Sequence, residues 1–454
     1  MKASRGVLAV VAALSLLTAG CTSDPESVPA PTPTSAPPLP SSISFGIVGP
    51  QAQQEALKDT VDTWNTDPSH VTVTVQSWPS RAAMRADIEA GKPVPDVFMS
   101  ARSDLAWLLE NEYTQPVDEL LDERGVEFGD NYSRDALEAL STDSHLQCMP
   151  YGVAPMVIYY NKELVRFPRM RNRGLDAPDA KATSWSFDQF AAAADFASRP
   201  ARGTKGVHID PTIEGLAPFI QSGGGAVFDD PVAPTSLAFA SDSSKDALER
   251  TLELLRNPQV TLDQSELAAD DALTWFLEGR LGMIAGDRSL VPVLREAGLR
   301  FDVMPMPRLD SSATVGDVSA LCMSADTVSP GVAADFIVHE ISAASVGHVA
   351  SAGYLQPANV AVALTDEFLQ PGRRPQHASF FNSAVRAMSV PPLINTLPEL
   401  EAAVAPDLDQ MVYGVGVLDL DALTEQIDEA SKPILDPESA SESPSPSESA
   451  SPVE

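Results

Sequence analysis

Residues 43–110 read ISFGIVGPQAQQEALKDTVDTWNTDPSHVTVTVQSWPSRAAMRADIEAGKPVPDVFMSARSDLAWLLE, and their periodicity decides the fold. Ile43 to Val48 is a short β run, and Ala56 to Trp64 then takes helical spacing. Val71-Thr72-Val73-Thr74-Val75 alternates apolar and polar residues, the period of a strand. Met84 to Ala90 is helical again. After the breakers Pro93 and Pro95, Asp96-Val97-Phe98-Met99 reads as a buried strand, and Leu105 to Glu110 as a further helix. A β-α-β-α-β-α order predicts an α/β fold, with a parallel sheet flanked by helices and ligands at the carboxyl ends of its strands.

The same style continues downstream. Ser186-Phe187-Asp188-Gln189 has capping-box spacing and opens a helix whose apolar face is Phe187, Phe190 and Ala194. Leu248, Leu252 and Leu255 share one face of another helix, which Pro258 stops. Ala272 to Leu277 is helical with Gly279 suited to its C-cap, and Leu281 to Ala285 reads as a strand. Val303 and Met304 belong to one more, ended by Pro305 and Pro307.

The two ends differ in character. Lys2 and Arg5 precede an apolar run from Val7 to Leu17, too short to span a bilayer but suited to a secretory signal. It closes on Leu16-Leu17-Thr18-Ala19-Gly20-Cys21, which resembles a bacterial lipobox, although Thr18 stands where Leu is usual. Residues 1–20 are thus expected to be a signal peptide, with Cys21 the site of lipidation. Residues 22–42 and 436–454 are rich in Pro, Ser and Thr or Glu and carry little to bury, so a linker and a solvated tail are expected.

Removing those ends leaves about 390 residues, enough for two lobes. Thirty basic against 63 acidic residues give a formal charge of −33, which argues against a nucleic-acid partner. With Cys21 lipidated, Cys148 and Cys322 remain, either as a disulfide or as two separate buried thiols. No GxSxG, HExxH or Walker A motif occurs, and the six histidines lack metal-ligand spacing; no enzyme, metal or cofactor is expected.

Residues 149–162, MPYGVAPMVIYYNK, are similar to the hinge segment of family 1 extracellular solute-binding proteins, the maltose-binding-protein-like group. Further stretches match that family in order: Pro95 to Phe98, Trp185 with Phe187 to Ala194, Gly223-Gly224 before Val227-Phe228-Asp229, Phe276 to Gly279 with Met283-Ile284 and Gly286, and Gly353-Tyr354-Leu355 with Pro357-Ala358-Asn359. The resemblance covers roughly residues 43 to 432. It implies a type II periplasmic-binding-protein-like fold of two lobes, one of them discontinuous, closing on a solute like a clamshell. Lobe I would comprise 43–150 with 321–390, and lobe II 151–320, with C-terminal helices at 391–435. It also implies a monomer that hands a sugar-like solute to an ABC permease and that, with the lipobox-like site, would be anchored at the outer face of the cell membrane; the alternatives are a non-sugar solute (anionic, polyol or polyamine) or a surface sensor without a transport role. Val318 to Met323 would be the return crossing, which favours a Cys148–Cys322 bond.

Residues just past strand ends are the candidate contacts: Ser100, Arg102 and Asp104 after the third strand, and Asp287 and Arg288 after Gly286. Tyr151 and Tyr354 are candidates because such rings stack on sugar faces. Arg288 stands where sugar-binding members often carry Trp. Its donor fork suits an anion, which weights the expectation toward an anionic or polyol-like solute; a surface pair with Asp287 is the alternative. Trp185 and Trp275 are expected in the core.

Overall fold

The computed structural model describes residues 40–437. The expected signal peptide, Cys21, most of the linker and nearly all of the tail lie outside these residues. Among the described residues no helix is long and apolar enough to cross a membrane.

The opening stretch folds as its periodicity requires. Strands β1 (Ser42–Val48), β2 (Thr72–Trp78) and β3 (Val97–Ala101) are joined by helices α1 (Gln51–Asn65) and α2 (Arg81–Glu89). β1 pairs in parallel with both β2 and β3. α1 buries Leu57, Val61 and Trp64, one stripe at helical spacing, against this sheet. The sheet is not wholly parallel, because a long strand returning from far downstream, Thr314–Ser324, lies antiparallel to β3.

That long strand is the second of two crossing segments. The first, Cys148–Pro155, pairs with it antiparallel from Cys148↔Cys322 to Gly316↔Pro155. Cys148 and Cys322 stand directly opposite with Cα atoms 4.4 Å apart, the close spacing of a non-hydrogen-bonded antiparallel pair, and their sulfurs are bonded. Beyond Pro155 the chain enters a second, four-stranded sheet. Its order is Phe301–Pro305, Val157–Asn161, Leu281–Gly286, Lys205–His208.

Two separate apolar cores follow from the two sheets. One gathers Phe45, Phe98, Leu105, Leu321 and Phe336; the other gathers Ile158, Trp185, Phe190, Phe219, Leu248, Trp275, Met283 and Phe301. Each large apolar side chain so buried contributes about 2 kcal/mol, so each lobe carries its own cohesion. The helix Phe187–Ala197 begins with the expected capping box, Ser186 and Gln189 each bonding the other's backbone amide. Gly279 takes φ 73°, the left-handed turn that ends a helix most cheaply at glycine.

The chain order hides one packing decision. Phe368, Phe380, Phe381 and Ala384, which the family resemblance put in lobe I, bury their side chains in the second core. The C-terminal helices Leu397–Tyr413 and Leu420–Leu435 join the same core through Leu400, Val404, Leu408, Leu423 and Ile427.

Candidate ligand-binding cleft

A cavity of about 520 Å³ opens beside the crossing strands, lined from both lobes. The first lobe supplies Arg81 at the start of α2, Arg102 and Ser103 in the turn after β3, and Gly316 with Asp317 on the second crossing strand. The second lobe supplies Ile213, Glu214, Ala217 and Gln221 from the helix Ile213–Ser222, and the loop from Gly225 to Asp229. The segment from Ser389 to Leu397, with Glu401, completes the lining.

Local chemistry sets this geometry. β3 ends at Ala101 and the chain turns at once, so Arg102 and Ser103 stand at a strand's carboxyl end, where α/β sheets place ligands. In the second lobe, Lys205–His208 feeds through Asp210 into the helix at Ile213. Thr212 caps that helix, its hydroxyl accepting from the Gly215 amide at 2.9 Å. A Cβ on Gly215 would fall 2.1 Å from the Asp210 carbonyl, so only glycine permits so tight an entry.

The first-lobe wall is a charged lattice. Arg81 Nη1 donates to Asp104 at 2.6 Å and to Ser103 Oγ at 2.7 Å, its Nη2 lies 3.4 Å from Asp317, and Ser103 Oγ donates to Asp317 at 2.6 Å. Burial pulls the Arg81 guanidinium down, but Asp104 and Asp317 outweigh it and hold it above its ordinary value. Arg102 differs. Burial lowers it, Asp317 opposes this only in part, and its Nε has no hydrogen-bond partner among the described residues. Arg102 is therefore the cation of this wall that remains available to a solute.

The opposite wall is acidic. Burial raises the Glu214 carboxyl, and Asp287, Asp317, Glu401 and Asp210 push it further the same way. Burial also raises Glu401, while the Ile213 and Glu214 amides pull it back. Asp229 is lowered because Thr235, Ser236 and Asp230 hydrogen bonds outweigh its burial, so its oxygens are already engaged. The Glu214 carboxyl thus faces the Arg102 guanidinium, in a lining rich in acceptors for hydroxyl or ammonium donors.

A model of the bacterial extracellular solute-binding protein family matches residues 48–359. The chain belongs to that family. No curated protein matches it in sequence. Its fold is similar to that of the ABC substrate-binding protein Lmo0181 from Listeria monocytogenes, solved with cycloalternan (15% identity, TM-score 0.72, covering 86% of this chain and 97% of that one). It is similar also to the sugar-binding protein MalE of Xanthomonas citri (14%, TM-score 0.73, 87% and 97%). The GacH receptor of Streptomyces glaucescens, solved unliganded and with acarbose, matches at 15% identity and TM-score 0.70 over 88% and 99%. This solute-binding protein therefore has the expected two-lobed α/β fold, and its family is one of binding proteins rather than catalysts.

Of the residues singled out from sequence, Arg102 lines the cleft. Asp104 acts from behind by holding Arg81, and Ser100, 2% exposed, lies against Asp104 at 3.4 Å. Asp287 reaches the cleft only through its field on Glu214. Tyr354 does not line it, and burial followed by Glu296 raises its phenol.

Two expectations need correction. Tyr151 is 1% exposed and sits in the first core, because alternate residues of a crossing strand must point inward. Arg288 is also 1% exposed. Its Nε donates to the Gly353 carbonyl at 3.1 Å and its Nη2 to the Phe368 carbonyl at 2.9 Å, beneath the Phe368 and Phe381 rings. Burial lowers its guanidinium to about 10. It clamps the segment after the second crossing strand, so the inference of an anionic solute from Arg288 falls.

Arg81, Glu214, Asp317 and Glu401 were missed. The strand-end rule that found Arg102 would have reached Glu214, had Lys205–His208 been legible; four residues containing a glycine carry too little alternation. Trp185 and Trp275 are in the core as expected, and all five tryptophans are at most 8% exposed, so none offers a stacking platform to the cleft.

Proposed function

We propose that this solute-binding protein is exported, anchored through lipid on Cys21, and delivers a polyhydroxylated solute, a sugar or oligosaccharide, to an ABC importer. The observation that carries the reading is the cleft, whose lining comes from both lobes and from the strands that join them. A solute seated there contacts both walls only when the lobes are closed, so it favours the closed state by its differential affinity. The importer then distinguishes loaded from empty protein by shape, and no bond is made or broken. The sugar complexes among proteins of similar fold support the same reading.

The absence of tryptophan from the cleft, together with Glu214, which has no ion pair among the described residues, favours a second reading in which the solute is cationic, such as a polyamine. A thermal-shift screen of oligosaccharides, polyols and polyamines separates the two, since binding raises the melting temperature by mass action. Stabilisation by oligosaccharides alone supports the first, and stabilisation by polyamines alone the second. Solute binding with no loss of uptake in cells lacking the protein would remove the transport role from both.

A further inference from the structure

In a chain with 63 acidic and 30 basic residues, residues 166–173 (RFPRMRNR) place four arginines in eight positions with no acid among them. The fold brings two more to the same surface. Arg173 and Arg199 both lie over the Phe196 ring, 5.5 and 5.4 Å from its centre, and Arg202 follows on the next turn of chain. Among the described residues Glu163 is the one carboxylate that pairs with any of them; it binds Arg166 at 2.8 Å and is shared with Arg300 at 2.8 Å. Arg169 and Arg202 are exposed and bear no side-chain ion pair or hydrogen bond among the described residues. The Arg199 guanidinium is lowered by burial and then by Arg202, Arg169, Arg166 and Arg173, so the group is unneutralised. Two residues beyond Arg173, Leu175 is 42% exposed, an apolar side chain set in a cationic rim.

The patch lies at the end of the second lobe away from the cleft. The strand Val157–Asn161 leaves the first crossing segment and runs outward to Asn161, with Arg166 five residues on. The strand Lys205–His208 starts beside Arg202 and runs back toward the helix that lines the cavity.

We propose that this arginine patch docks on anionic phospholipid head groups of the membrane that carries the protein. The proposal rests on the reading that the chain is membrane-anchored. Guanidinium forks match phosphate oxygens two at a time, and Leu175 suits the boundary between head groups and acyl chains. Each arginine near an anionic leaflet gains about fivefold in partition. So small a patch is weak for a free protein, but a tether of linker length supplies an effective concentration in the millimolar range. Docked by this end, the protein holds its cleft away from the bilayer and open to incoming solute.

Co-sedimentation of the full chain carrying Cys21→Ser, which accepts no lipid, tests the patch separately from the anchor. The protein should pellet with vesicles of phosphatidylcholine and phosphatidylglycerol, not with phosphatidylcholine alone, and binding should fall as salt rises. Arg169→Glu with Arg202→Glu should lower partition on the order of 100-fold at an unchanged melting temperature, and Leu175→Ser should lower it a few-fold. No pelleting with anionic vesicles, equal pelleting of the charge-reversed variant, or salt-sensitive binding to polyglutamate but not to vesicles would overturn the proposal. Palmitate labelling of the unaltered chain reports on the anchor by itself, so failure there is distinguishable from failure of the patch.

Discussion

Replacing Glu340 with Gln should remove a pH dependence of stability built into the first core. Glu340 closes the helix Pro330–Glu340 and is 0% exposed. Burial pushes its carboxyl up to about 8, against a smaller opposing pull from Thr60. Thr60 Oγ1 lies 2.9 Å from Glu340 Oε2 and 2.7 Å from the Leu57 carbonyl. A hydroxyl has one proton to give, so Thr60 shares it between the Leu57 carbonyl and Glu340 Oε2 and opposes the burial of the carboxyl only weakly. Oε1 and the nearby Tyr151 hydroxyl have no partner among the described residues, and the Tyr151 phenol is raised by burial, then by Glu340 and Tyr132. His339 turns its Nε2 to the Thr60 carbonyl at 2.9 Å instead.

The folded carboxyl therefore keeps its proton where the unfolded one has lost it. Its contribution is complete below the unfolded value of 4.5 and is lost as pH rises through about 8. The shift corresponds to on the order of 5 kcal/mol, about 3 kcal/mol of it lost between about pH 5 and about pH 8. Urea denaturation of the parent and of Glu340→Gln at those two pH values measures the difference. The parent should lose about 3 kcal/mol more than the variant, which keeps the shape without the charge. Parallel losses would refute the assignment of a neutral Glu340.

Reduction of the bond between Cys148 and Cys322, 174 residues apart, should cost up to about 5 kcal/mol by the chain-entropy model, read from denaturation with and without reductant. Arg288→Ala orphans the Gly353 and Phe368 carbonyls and should destabilise by about 3 kcal/mol while leaving solute affinity unchanged, as calorimetry and a melting curve would show. Arg102→Ala should do the reverse, weakening solute binding on the order of tenfold at an unchanged melting temperature, since its Nε is already unpartnered. At Gly316 a Cβ would fall 2.4 Å from the Ala154 carbonyl and 2.7 Å from Met388 Sδ, so Gly316→Ala should part the crossing strands and cost about 2 kcal/mol.

Much of the fold was legible because it is written locally. The alternation of Val71 to Val75, the capping box at Ser186 and the left-handed glycine at Gly279 each act within a few residues, and each element formed where its pattern lay. The cleft was legible only where a strand end was, at Arg102. Arg81, Asp317, Glu214 and Glu401 come from four distant stretches, and nothing in any one of them states that the others are near.

By itself the sequence determined the two α/β units and the excess of acid, because periodicity and composition are properties of neighbouring residues, and its ordered motifs pointed to the family and, through that resemblance, to the crossing segments. Tertiary structure alone decided which way a side chain faces. Tyr151 and Arg288 sit in segments next to the cleft yet point into the protein, while Phe368, Phe380, Phe381 and Ala384 bury in the second core although the family resemblance put them in lobe I. The physical reason is that burial is settled by what packs opposite. An arginine reaching two backbone carbonyls under a pair of phenylalanine rings, or a phenol shut in near a buried glutamic acid, meets its surroundings only after the distant parts of the chain have come together.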